Sequence, residues 1–158
     1  MLGFPRVINE KAARTVAAVV ALTGVVALAT GAHWLLAPLA YGFWARVLTG
    51  PRLSPLALLA SRVIAPRLGP PRDVAGPPKR FAQGMGAAIT TLGVAALALG
   101  WTTVATALLA ALVVAATLEA VLGLCIGCKI FAGLMRAGIV PETVCVECAD
   151  IGRRLQRV

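Results

Sequence analysis

Charge and aromatic side chains are both scarce in this chain: charged residues make up 13% and aromatic residues 5% of 158 positions, while hydrophobic residues make up 59%. An average soluble domain carries roughly a quarter charged residues. A soluble fold of this length leaves too large a share of its surface in water to hide so much apolar area, so an ordinary soluble enzyme is excluded. There is one histidine, and Ser54 and Ser61 are the only serines, so no serine nucleophile has a base within reach. Walker, Rossmann and nucleophile-elbow patterns are absent, as are internal repeats and low-complexity tracts. No apolar run carries a row of polar residues that would line a pore. Acids number 6 against 15 Lys and Arg, for a net charge of +9. That excess would ordinarily suggest nucleic acid, but it flanks apolar runs with few aromatics between. It reads instead as a topology signal and an attraction to anionic lipid headgroups.

What the chain does have is apolar length. Runs at about 12–32, 34–48, 81–100 and 101–124 predict an all-α integral membrane protein, a bundle of four transmembrane helices. A crossing helix needs ~20 apolar residues. The second run gives only ~22 Å by helical rise. It is required to cross because runs one and three carry their charge at the same end. Three of the basic residues (Arg6, Lys11, Arg14) stand at the start of run one, seven from Arg46 to Arg80, and five from Lys129 to Arg157. The connections near His33 and Gly100 have none. The positive-inside rule then predicts a multi-pass membrane protein with both termini and the long middle loop cytoplasmic. Trp34 and Trp101 fall where outer interfacial anchors belong. The first run is longer than the apolar core of a signal peptide, so it is read as a retained span.

The loop at 49–80 holds seven of the ten prolines and cannot be one continuous helix. Ser54-Pro55 reads as an N-cap followed by proline at the first helical position. Leu56, Leu59, Ala60 and Ile64 then share one face, which predicts a short interfacial helix lying on the cytoplasmic leaflet. Gly84, Gly86 and Gly93 in the third run predict close helix packing.

The four cysteines form two pairs, Cys125-Ile-Gly-Cys128 and Cys145-Val-Glu-Cys148. Cys125 lies ~36 Å along a helix from Trp101, just past a ~30 Å hydrocarbon core. Gly138 and Pro141 predict a turn, and the spacing of Val144, Cys148, Ile151 and Leu155 predicts a short amphipathic C-terminal helix. Residues 125–158 would thus make a cytoplasmic cysteine hairpin, able to bring all four sulfurs together. Thiol–disulfide or sulfur-transfer chemistry is the first reading, since cytosolic C-x-x-C pairs are more often redox-active than structural. Lys129 and Arg136 favour a thiolate at Cys125 or Cys128, leaving Cys145 and Cys148 as the resolving or receiving pair. A structural zinc site held by Cys125, Cys128, Cys145 and Cys148 is the alternative, because two C-x-x-C pairs sixteen residues apart match the spacing of four-cysteine zinc sites. Inert buried thiols are the bland alternative. Quinone binding is left open.

Glu119 is the one acid inside a predicted span, ~27 Å from Trp101. A lone carboxylate at that depth calls for a partner, and Arg14 or Arg46 is the expected one. Continuous helical phase puts Cys128 ~180° from Glu119, which argues against a direct proton relay. His33 is expected to be an interfacial loop residue.

Several elements together resemble a bacterial membrane family catalogued as domain of unknown function 4395. They are Pro5-Arg6, Asn9, Lys79-Arg80-Phe81-Ala82-Gln83, Leu118-Glu119-Ala120, Cys125-Ile-Gly-Cys128, and Pro141-Glu142 before Cys145-Val-Glu-Cys148. The resemblance implies a multi-pass protein of the bacterial inner membrane and no established activity. It also points to thioredoxin-like or rhodanese-like partners, by association alone.

Overall fold

The computed structural model describes residues 5–145. The chain opens with a short strand β1 (Val7–Asn9) and helix α1 (Glu10–Thr30). A tight turn at His33–Leu35 leads into α2 (Leu36–Thr49). Next come α3 (Pro55–Leu59), a π-type turn at Ala60–Ile64, α4 (Ala65–Arg67) and strand β2 (Asp73–Ala75). Helices α5 (Gly76–Ala98), α6 (Thr102–Leu122) and α7 (Ile126–Arg136) follow, with a final tight turn at Glu142–Cys145.

The expected four-span bundle is corrected to three. Helices α1, α5 and α6, of 21, 23 and 21 residues, are the ones long and apolar enough to cross a membrane among the described residues. Helix α2 has 14 residues, or ~21 Å of rise, and falls short of a ~30 Å core. The premise behind a fourth span does hold, because α1 and α5 start at one end. Strands β1 and β2 pair antiparallel there, Val7 opposite Ala75 and Asn9 opposite Asp73. The chain returns to that end without a full-length helix. It runs up α1, comes back through α2 beside α5, and then folds residues 55–67 against α1.

Local chemistry sets these boundaries. Asn9 caps α1 by accepting from the Lys11 N–H at 3.0 Å, and Gly31 ends it in the left-handed region at φ 70°, where a side chain would be strained. Gly76 begins α5 with its N–H donating to the Arg6 carbonyl at 2.6 Å, so close that a Cβ would collide with the Pro5 backbone. Ser54 caps α3 as expected, its hydroxyl accepting from the Ala57 N–H at 3.3 Å. The segment does not lie loose on the leaflet, however. Ala57, Ala60 and Ala65 are buried while Leu59 is exposed, because the small side chains let the segment seat on α1.

The bundle packs as two antiparallel layers, α1 on α6 and α2 on α5, joined by the α5–α6 hairpin. Small residues allow the close approach. Gly24 faces Val113, Gly86 faces the Phe43 ring and Gly93 faces Leu36. Gly84 faces open space, so of the three glycines expected at this contact, two take part. Outward, Leu22, Leu92, Val114 and Val121 are more than half exposed, an apolar surface suited to lipid. Trp34 and Trp101 are exposed at the turns. His33 joins those turns, its Nε2 2.8 Å from the Thr106 hydroxyl.

Candidate functional site

The site grows from the way α6 ends. Gly123 takes φ +66°, and the N–H groups of Gly123 and Leu124 donate back to the Glu119 and Leu118 carbonyls, each at 3.1 Å. The helix therefore stops at Leu122 instead of running on through the cysteines. Cys125 adopts an extended conformation (φ −85°, ψ 104°) and becomes the N-cap of α7. Its Sγ accepts from the Cys128 N–H at 3.3 Å. A helix N-terminus presents unpaired N–H groups and a positive dipole end, both of which stabilise a thiolate.

The break removes the continuous helix on which the ~180° separation of Glu119 from Cys128 rested. Glu119 and Cys125 would stand ~120° apart on such a helix. After the turn at Gly123 both line a small cavity of about 90 Å³, with Arg46, Gln83, Ala82 and Phe43.

Residues 79–83 of α5 assemble this corner, each with its own task. Lys79 is buried and its Nζ donates to Glu119 Oε1 at 2.5 Å. Arg80 Nε donates to the Val47 carbonyl at 3.1 Å. Phe81 meets Phe131 of α7 with ring centroids 5.7 Å apart. Ala82 touches Gly127, where an added Cβ would collide with the Ala82 backbone. Gln83 Oε1 accepts from Arg46 Nε at 2.8 Å. The glycine of Cys-Ile-Gly-Cys thus has a steric cause, since it lets the start of α7 seat on α5.

The expected partners of Glu119 are therefore corrected. Its ion pair is with Lys79, which the sequence reading placed in the loop. Arg14 lies at the right depth but donates to the Ala120 and Val121 carbonyls at 2.8–3.1 Å. Arg46 sits over the Phe43 ring at 4.6 Å and bonds to Gln83. The signal that could have found Lys79 is helix length, since α5 begins at Gly76, five residues before the apolar run at Phe81.

Cys125 and Cys128 are free thiols, the first buried and the second half-buried. They are close enough to interact directly. A hydrogen bond from the Cys128 thiol is the main cause pulling the Cys125 thiol below the ordinary range. Burial and the Glu119 charge oppose that shift, and the Lys79 charge assists it. Cys128 is pushed up, first by that same interaction with Cys125 and then by burial. Their closeness is consistent with a redox-capable site.

Cys145 is buried and disulfide-bonded. Cys148 and the expected C-terminal helix lie outside the described residues. Among the described residues no group of three or more His, Cys, Asp or Glu is arranged to hold a metal, so the four-sulfur zinc cluster finds no support there.

The family model described as Domain of unknown function (DUF4395) matches residues 8–136, and the chain belongs to that family. The match takes in Lys79 to Gln83, Glu119, Cys125 and Cys128. Neither a curated protein nor a solved structure matches the chain. Family and helix pattern together make this a bacterial membrane protein.

Proposed function

We propose that this member of the family exchanges thiols and disulfides with a cytoplasmic thiol protein through Cys125 and Cys128. The observation that carries the proposal is the Cys125 sulfur at the N-terminus of α7, hydrogen-bonded by its Cys128 neighbour and lowered in pKa by it. Exposure and acidity divide the roles. Cys128 is the more accessible sulfur and Cys125 the better leaving group, because a lower-pKa thiolate departs faster. In the oxidised protein a partner thiolate attacks Cys128 Sγ. The Cys125–Cys128 bond breaks, a Cys128–partner disulfide forms, and Cys125 leaves as a thiolate. A second thiolate of the partner then attacks its own sulfur in that bond. The partner leaves oxidised and Cys128 takes up a proton. The reverse sequence oxidises Cys125 and Cys128 at the partner's expense. Of the thioredoxin-like and rhodanese-like partners expected, the thioredoxin-like one supplies the two thiols that both directions need.

Sidedness belongs to the same proposal. The ends of the bundle that carry Arg6, Lys11, Arg72, Lys79 and Arg80 are gathered by the β1–β2 pair, and the positive-inside rule assigns such an end to the cytoplasm. Cys145 lies on the tight turn that packs against α5. With Cys148 it forms the receiving pair of the relay: starting from the disulfide at Cys145, oxidation of Cys125 and Cys128 to a disulfide reduces that bond to thiols.

Trapping separates the roles. The full chain is equilibrated with glutathione mixtures in detergent, and peptides containing Cys125 and Cys128 are weighed. A reversible loss of two hydrogens is expected, and Cys125→Ser should accumulate a mixed disulfide at Cys128 in cells. A pair that stays reduced across cytosolic potentials would remove the proposal. A trapped adduct at Cys125 in Cys128→Ser, with none at Cys128 in Cys125→Ser, would reverse the roles.

A further inference from the structure

Arg46 is 5% exposed, and its Nη2 is the one buried side-chain nitrogen or oxygen without a hydrogen-bond partner among the described residues. Its Nε is used by Gln83 and its charge rests on the Phe43 ring. It takes part in neither the Arg72–Glu10 nor the Lys79–Glu119 ion pair. The Glu119 charge reaches it, but that carboxylate is already bound by Lys79. A buried cation without a counter-ion is costly, and the local balance around Arg46 is one positive charge in excess.

Beside it lies a second, larger cavity of about 280 Å³. Arg46 forms part of its wall together with Lys79 and Asn9, and the rest is mostly apolar, including Ile8, Val16 and Ala57. The cavity sits at the end of the bundle where α1 and α5 start, beside Pro51 and the pairing strand β1. An apolar cleft with a few converging polar groups is the usual form of a small-molecule site. Here the polar contribution is a donor with net positive charge, at the end of a membrane bundle.

We propose that this cavity binds a single-chain anionic amphiphile. Its carboxylate or phosphate head pairs with the Arg46 guanidinium, which forms part of the cavity wall, and its acyl chain lies against α1 and residues 57–61. One negative charge neutralises the excess on Arg46, since Lys79 is already balanced by Glu119. A free fatty acid and a lysophospholipid present the same head chemistry on the same kind of body. The site is independent of the thiol exchange proposed above and stands or falls without it.

The test is equilibrium binding of labelled palmitate to the purified full chain in a nonionic detergent, with three competitors. Saturable binding is expected, with displacement by lysophosphatidic acid and not by hexadecanol or decylubiquinone. Arg46→Gln should weaken palmitate by about tenfold or more, the size of a charge-assisted hydrogen bond. Ser61→Phe, which fills the cavity and leaves Arg46 in place, should weaken it as much. Lysophosphatidic acid competing more tightly than palmitate would identify a phospholipid source, and the opposite order a fatty acid. Equal competition by hexadecanol or decylubiquinone would overturn the proposal. So would palmitate binding unchanged in both variants, or no saturable binding of either anion.

Discussion

Lys79 and Arg46 are two buried cations on neighbouring helices, within one corner of the bundle, each 5% exposed. They are treated very differently. Lys79 has a carboxylate at 2.5 Å. Arg46 has an amide, an aromatic face and one nitrogen with no partner. Both side chains feel the same acid, Glu119. Pairing separates a clamp from a site. A buried charge that is fully paired holds helices together, here α5 to α6. A buried charge left partly unsatisfied in a cavity wall is available to something that is not part of the chain.

Glu119→Gln leaves Lys79 buried without a counter-charge, and removing one member of a buried pair is expected to cost about 3 kcal/mol. Thermal unfolding in detergent would show it as a large fall in midpoint. A double change, Lys79→Met with Glu119→Leu, should recover most of that loss, because an apolar pair of similar volume often replaces a buried ion pair at little net cost. A double variant no more stable than Glu119→Gln would mean that the ion pair itself, and not merely its balance, holds α5 to α6.

Arg46 provides the contrasting measurement. Arg46→Met gives up the ring contact and the Gln83 bond, but it also removes the unsatisfied Nη2. The expected loss is about 1 kcal/mol, well below that of Glu119→Gln. A loss at Arg46 equal to that at Glu119 would make the two cations equivalent clamps and erase the distinction between them.

The same corner shows what could be read from sequence. The apolar runs gave the three long helices, because length and composition alone decide whether a segment suits hydrocarbon. Ser54 as N-cap and the close packing at Gly86 and Gly93 were also legible, being local steric facts. The fourth span was not. Charge sidedness requires only that the chain return, and it cannot say whether a full-length helix makes the return. Lys79 was misplaced because an apolar window starts where hydrophobicity starts, while α5 starts at Gly76. The cavity shared by Glu119 and Cys125 was hidden by a single residue. Gly123 in the middle of an apolar run looks tolerable in a helix, yet in the left-handed conformation it ends one and redirects every side chain beyond it.

The smallest effect lies in the thiols, and it sharpens the role of Lys79. Alkylation follows the thiolate, so the Cys125 rate should rise with pH at a midpoint below the ordinary thiol value of about 8.5. The depressed value means that the thiolate form of Cys125 favours the folded state above the unfolded thiol pKa. That contribution fades as pH falls through the folded one. Cys128→Ala removes the main cause of the depression. Burial and Glu119 are then opposed by Lys79 and α7, so the midpoint should move upward. The Lys79→Met, Glu119→Leu double variant removes one charge that lowers the thiol and one that raises it, so its midpoint should move less than that of Cys128→Ala. Mass-resolved iodoacetamide labelling across roughly pH 6 to 10, a range that brackets ordinary thiol titration, distinguishes the two. If the double variant moved the midpoint further, the Lys79–Glu119 pair would be tuning the sulfur as well as clamping the helices. Lys79 would then join Cys125 and Cys128 as part of the reactive site.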